Sequence, residues 1–193
     1  EMPVTEDLEP RPINPYGASK LMTEWILRDT AAASALRYVA LRYFNVAGAD
    51  PAGRAGQSTR SATHLIKVAC EAAVGRRAEV QVFGDDYETP DGTCVRDYIH
   101  VSDLAAAHVL ALRHLSSGGP ALTLNCGYGR GHSVKDVLDA VQRVARRRLP
   151  VRVAPRRPGD PPILVASATR LRTTLGWRPK HDDLDEIVRS ALA

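Results

Sequence analysis

The sequence predicts an α/β fold, on three observations. Segments with helical apolar spacing alternate with short runs rich in β-branched and aromatic residues. Gly, Pro, Asn and Ser cluster between these segments, where the chain must turn. The alternation continues along all 193 residues without internal repeats or a low-complexity tail, which argues for at least some parallel strands.

The elements follow in order. Asn14 can cap a helix by accepting from free backbone N–H groups, and Pro15 suits the first helical position, which needs no N–H. Leu21, Met22, Trp25 and Ile26 then recur at helical spacing. "RYVALRYFN" (37–45) reads as a buried strand, and "VAGADPAGRAGQS" (46–58) as a loop. Thr63 is expected to cap a helix from about His64 to Val74, which Gly75 ends. "EVQVFGDD" (79–86) is a strand entering a long turn, and the polar stretch after it, carrying Arg96, reads as a loop. Ser102 is expected to start a helix that Gly118-Gly119-Pro120 stops. "ALTLNCG" is a strand, Ser133 to Arg147 a helix, and "PVRVAP" a short strand. "SATRLRTTLGW" and "DLDEIVRSALA" read as short helices.

Composition narrows the function classes. At 44% hydrophobic and 25% charged residues, the chain reads as a water-soluble globular protein. No apolar run approaches the roughly 18 residues that span a bilayer, and no signal peptide is visible. No membrane association is expected. Cys70, Cys94 and Cys126 are odd in number and widely spaced, with no C-x-x-C. That argues for a reducing compartment, the cytoplasm, and against a disulfide framework or a metal site. The net charge of +4 comes mostly from "RVARRRLPVRVAPRR" (143–157). No aromatic residues interleave with these arginines for base stacking, so no nucleic-acid partner is expected.

Four features carry chemistry. Tyr16 and Lys20 project from nearly the same helix face, one turn apart. An ammonium held beside a phenol favours the phenolate, and a phenol so tuned can act as a general base near neutral pH. A bare Y-x-x-x-K is also common on ordinary helix surfaces, so the pair needs company. Phe44 and Asn45 end a strand at its carboxyl end, where α/β proteins bind ligands. Arg96, Arg157 and Asp160 offer two guanidinium groups for a diphosphate and a carboxylate for ribose hydroxyls, the set a sugar nucleotide needs. Each has a plainer alternative: Arg96–Asp97 as a loop ion pair, and Arg157–Asp160 as a pair bracing the Pro/Gly turn. Gly127, Gly129 and Gly131 imitate a dinucleotide fingerprint, but the third Gly is one position early and the next strand leads into Ala154-Pro155, not an acid. They read as a turn that lets strand and helix pack closely.

Taken together, "INPYGASKLMTE", "LRYFNVAGADP", "VFGDDYETPDGTCVRDYIHVSDLAAAHVLAL", "NCGYGRGHSV", "RRPGDPP" and "LGWRP" resemble, in order, segments of the UDP-glucose 4-epimerases, which are extended short-chain dehydrogenases/reductases. The resemblance implies the C-terminal part of a Rossmann-type doubly wound sheet plus a smaller α/β substrate-binding domain. Residues 1–50 would be the remnant of the NAD-binding domain and 51–193 mainly the UDP-sugar domain, with about 95–126 returning to the Rossmann sheet. It implies NAD as a tightly held prosthetic group and a UDP-sugar as substrate. Tyr16 would take the proton of the sugar 4-hydroxyl while hydride leaves C4, and both would return to the opposite face of the 4-keto sugar. Lys20 would hold the nicotinamide ribose, and Phe44 would lie near the nicotinamide. Asn45 would bind the UDP-sugar, His64 and Leu65 would meet the diphosphate region, and Gln81, Val82 and Phe83 would cradle the uracil through backbone groups. Arg96 and Arg157 would grip the diphosphate and Asp160 the ribose. His64 stands where some relatives carry Asn. A homodimer is the assembly the family implies.

The resemblance is incomplete. The family's Gly-rich loop, its adenosine-binding acid and the Ser or Thr of its catalytic set precede the Tyr, and only fifteen residues do so here. The expectation is therefore a chain lacking the NAD-binding half, one that alone neither binds NAD nor turns over. UDP-xylose/arabinose and N-acetylhexosamine epimerases are close alternatives, and Leu164 stands where side-chain bulk helps decide between sugars. A non-catalytic nucleotide-sugar-binding piece is the alternative outside catalysis. A sugar-nucleotide 4,6-dehydratase is the rival on the same fold.

Overall fold

The structure, a computed structural model, describes residues 2–59 and 61–193. Its first helix, α1 (Pro15–Ala33), begins as the local signals require: Pro15 leads it and Asn14 Oδ1 accepts the Gly17 N–H at 2.8 Å. No residue of α1 is buried, however.

The strand expected over 37–45 is divided at Phe44 into β1 (Val39–Tyr43) and β2 (Asn45–Ala47). The Phe44 N–H still reaches Cys126 O at 3.4 Å. Beyond it the chain leaves one partner strand and joins another, so Val46 and Ala47, expected in a loop, extend a sheet instead. Next comes α2 (Leu65–Ala73). The N-cap is His64, not the expected Thr63, and no side chain bonds the helix end, because the His64 ring lies 3.0 Å from Gln57 Nε2 instead. Gly75, at φ +77°, closes the helix as expected. Strand β3 (Val80–Phe83) follows.

Strand β4 (Val95–His100) corrects the reading of Arg96 as a loop residue. Two adjacent charges at Arg96 and Asp97 disguise it, yet Asp97, Tyr98, Ile99 and His100 are all buried. It runs directly into α3 (Val101–Ser116), capped by His100, one residue ahead of the expected start. The remaining elements are β5 (Leu122–Cys126), β6 (Gly131–Ser133), α4 (Val134–Ala145), β7 (Val151–Ala154), β8 (Ile163–Leu164), α5 (Thr169–Leu175) and α6 (Leu184–Leu192). Helix α4 opens with a capping box, Ser133 bonding the Asp136 N–H and the Asp136 carboxylate the Ser133 N–H. It stops at Ala145, two residues before the expected Arg147, because Arg146 takes a left-handed φ of 49° that ends the helical path.

Strand pairing makes β4 the hub. Its second half runs parallel to β2, with Asn45 opposite Tyr98. Its first half lies antiparallel to β6 and parallel to β8, with Arg96 opposite both His132 and Leu164. The other parallel pairs are β1 with β5 and β3 with β7. Two apolar cores result. One joins α2, α4 and α6 to β3 through Ile66, Val80, Val137, Val141, Ile187 and Val188. The other joins α3, α5 and β5 through Leu104, Leu124, Leu171 and Trp177. Each fully buried aliphatic side chain in these layers contributes about 1.5–3 kcal/mol.

Candidate functional site

A cavity of about 520 Å³ opens beside β3 and β4. Asn45 reaches it from the start of β2, and His64 and Leu65 from the start of α2. Gln81, Val82 and Phe83 line it from β3, Arg96 and Tyr98 from β4, and Arg157 and Asp160 from the Pro/Gly turn between β7 and β8. Cys94 and Tyr98 also line it, and sequence reading missed both. The apolar residues flanking the Arg96–Asp97 charges were the available signal for a strand at that wall.

The ionic pairing departs from both local alternatives. Arg96 does not pair with Asp97: its Nη2 lies 3.7 Å from Asp160 Oδ1, and its Nη1 donates to Val95 O at 2.9 Å. Arg157 does not brace the turn through Asp160. Its guanidinium lies 3.6 Å from the centroid of the Phe83 ring, a cation–π contact that holds the group in place without neutralising it. Two guanidinium groups and the Asp160 carboxylate therefore line the cavity, a set suited to a diphosphate with a hydroxyl-bearing neighbour.

Tyr16 and Lys20 lie outside this cavity. Lys20 Nζ is 5.2 Å from the Tyr16 ring centroid, so the pair shares one face of α1 as its spacing predicts, and both side chains are exposed. The pair begins just past the point where α1 meets the cavity's turn: a side chain at Gly159 would come 3.8 Å from Ile13 O and 3.9 Å from Asn14 Cβ. Phe44 is half-buried at the break between β1 and β2. Leu164 lies in β8, opposite Arg96 in register.

The Gly127–Gly131 turn is filled by the chain's own carboxylate. Asp97 Oδ1 accepts the Tyr128 N–H at 2.9 Å, while Oδ2 accepts those of Gly129 at 2.9 Å and Ala166 at 3.2 Å. A Cβ at Gly127 would lie 2.6 Å from Asp97 Oδ2, so only glycine lets the strand end approach so closely. Burial pushes the Asp97 carboxyl above its ordinary value against these three donors. The amides that would face a phosphate in a dinucleotide loop are occupied here by a carboxylate.

The basic run is tied to the fold. Arg143 pairs with Asp185, Arg147 donates to Ala73 O, Arg152 pairs with Glu79, and Arg156 pairs with Asp86. All three cysteines are free and buried, and burial pushes the Cys70 and Cys126 thiols up to about 12, far from reactive thiolates. Among the described residues, no group of three His, Cys, Asp or Glu is placed to hold a metal ion, and no helix is long and apolar enough to cross a membrane.

Comparison with known proteins places this geometry in a family. Residues 1–127 match the NAD dependent epimerase/dehydratase family. A UDP-glucose 4-epimerase of Azospirillum brasilense is 66% identical over 192 residues, which are 100% of this chain and 55% of that protein. The crystal structure of UDP-glucose 4-epimerase from Brucella ovis in complex with NAD superposes with a TM-score of 0.95 at 49% identity, covering 100% of this chain and 59% of that one. The UDP-glucose 4-epimerase from Bifidobacterium longum in complex with NAD+ and UDP does so with a TM-score of 0.94 at 41% identity, over 100% and 58%. The chain spans a little over half the length of these relatives. It belongs to the NAD dependent epimerase/dehydratase family.

Proposed function

We propose that this chain carries the nucleotide-sugar site and the Tyr–Lys pair of an NAD-dependent UDP-glucose 4-epimerase, interconverting UDP-glucose and UDP-galactose. One observation carries the reading: Asn45, the start of α2, strand β3, Arg96 and the Arg157–Asp160 turn, far apart in sequence, converge on one cavity. The named relatives support it.

Arg96 and Arg157 grip the diphosphate, and Asp160 accepts from the ribose hydroxyls. Strand β3 has β7 as its single strand partner among the described residues, which leaves backbone groups of Gln81, Val82 and Phe83 for the uracil's amide edge. His64 and Leu65 meet the diphosphate from the start of α2, and Asn45 orients the sugar. Tyr16 and Lys20 fit the nicotinamide-ribose end of NAD, with a phenol and an ammonium on one helix face. NAD, when bound there beside Phe44, supplies the hydride acceptor and donor. Tyr16 takes the proton of the sugar 4-hydroxyl and later returns it, and Lys20 holds the ribose hydroxyls. The Gly127–Gly131 turn takes no part, since Asp97 occupies its amides.

Residues 1–50 belong with the NAD-binding part and 51–193 mainly with the UDP-sugar part. The segment from about 95 to 126 returns to the former, a division that the β1–β5 pairing supports. The protein acts in the cytoplasm as a homodimer. The test uses the protein expressed from its native gene: the nucleotide released on denaturation is identified, and conversion of UDP-galactose is followed. NAD release, with turnover falling about 10²–10⁴-fold in Tyr16→Phe while UDP affinity holds, is the expected result. Full turnover in Tyr16→Phe, or UDP affinity unchanged in Arg157→Ala, would overturn it. UDP-xylose and UDP-N-acetylglucosamine in the same assay define the sugar range.

A further inference from the structure

His100 ends β4, caps α3 and is fully buried, yet the proposed chemistry makes no use of it. Both ring nitrogens have partners, and the partners fix its state. Nδ1 lies 3.1 Å from the Ser102 backbone N–H, which can only donate, so Nδ1 is the acceptor and carries no proton. The neutral ring then has its proton on Nε2, which donates to Ser190 Oγ at 3.0 Å. Ser190 Oγ donates onward to Ile187 O at 2.9 Å and accepts the Ala49 N–H at 3.2 Å. Gly48 packs directly on the ring: a Cβ there would lie 2.7 Å from His100 Cδ2. One imidazole thus joins the start of α3, helix α6 and the Gly48–Ala49 segment that leaves β2 after Ala47.

The charged and titratable groups around it come from each packed element. The His181 ring, from the segment before α6, is 4.6 Å away centroid to centroid, and its Nδ1 lies 2.5 Å from Glu186 of α6. Asp103 of α3 accepts from the Tyr128 hydroxyl at 2.7 Å, and that hydroxyl accepts the His100 backbone N–H at 3.0 Å. Gly48 and Ala49 bring no charge. A proton added to His100 would have to sit on Nδ1, against the Ser102 N–H, and its charge would stand at the positive end of α3.

We propose that His100 is a positioning residue: neutral, in its Nε2–H form, it orients the Ser190 hydroxyl that latches the Gly48–Ala49 segment, beyond Asn45, to α6, and protonation at Nδ1 ejects the Ser102 N–H and frees the start of α3. Burial and the neighbouring His181 oppose that protonation and hold His100 below its ordinary value, outweighing Asp103 and Glu186. The latch does not rest on the function proposed above.

The test is NMR on the ¹⁵N-labelled protein, with no substrate and no turnover, so a failed epimerase assay leaves it standing. At pH 7.5 the His100 ring is expected to be neutral with its proton on Nε2. As pH falls from 7.5 through the His100 titration, the protection factor of the Ser102 amide is expected to fall about tenfold, the scale of one lost hydrogen bond. His100→Asn retains an acceptor for the Ser102 N–H but neither reaches Ser190 nor titrates. It should leave the protein folded, with a Ser102 protection factor that does not change with pH. Ser190→Ala should lower Ala49 protection at every pH and keep a Ser102 profile that titrates. A ring protonated, or carrying its proton on Nδ1, at pH 7.5 would overturn the proposal. So would a Ser102 protection profile in His100→Asn that follows the parent's.

Discussion

Helices α1 and α4 obey the same local rules and reach opposite ends. Each has a well-formed N-cap, Asn14 for one and a Ser133–Asp136 capping box for the other. Each carries apolar residues at helical spacing. Helix α4 buries Val137, Leu138, Ala140 and Val141 against α2 and α6. Helix α1, though longer, buries none, and Met22, Trp25 and Ile26 are 54%, 47% and 66% exposed. A cap and a period suffice to make a helix; only a second layer makes one of its faces a core. The functional groups divide along the same line. The cavity proposed for the nucleotide sugar is assembled within the packed region, and the Tyr16–Lys20 pair stands on the helix whose apolar face has no cover among the described residues.

Substitutions can break or sharpen this contrast. The largest effect on stability is expected from Trp177→Ala, in the core under α3 and α5. That side chain is 1% exposed, and its Nε1 donates to Asp103 O at 3.0 Å. A loss of about 3–5 kcal/mol should appear in urea unfolding. Gly127→Ala comes next, because its Cβ would meet Asp97 Oδ2 and the Ala166 side chain. About 1–3 kcal/mol is expected by the same measurement, and an undiminished midpoint would mean that Asp97 is free to move away. A smaller effect should follow pH. The folded-state value of His100 lies below its ordinary 6.5, so the unfolded chain binds this proton more readily. Stability from this group is complete above about 6.5 and declines as pH falls through the interval down to the folded value. Denaturant midpoints from pH 7.5 to 5 should show that decline in the parent and lack this component in His100→Asn. The smallest effect belongs to Trp25→Ala on α1, within about 0.5 kcal/mol. A loss as large as that of Trp177→Ala would show that another layer covers α1 in the protein as studied.

The sequence by itself determined what depends on near neighbours. It gave α1 its start at Asn14-Pro15 and put Tyr16 and Lys20 on one face, since a helical turn fixes that spacing. It ended α2 at Gly75 and refused Gly127–Gly131 as a phosphate loop, because turn geometry is local. The cavity residues Asn45, His64, Leu65, Gln81 to Phe83, Arg96, Arg157 and Asp160 were legible through motif order. Their meeting at one cavity was not, because they come from separate elements. Only the tertiary structure decided partners. It made a strand of Val95–His100, since the cost of burying Asp97 is offset by amides 31, 32 and 69 residues away. It joined Arg96 to Asp160 rather than to the adjacent carboxylate, and it gave the His100 Nε2 a partner in Ser190, 90 residues on. Charge and hydrogen-bond partners are chosen by distance in space, and a buried polar group takes whichever partner the packed layers bring within reach.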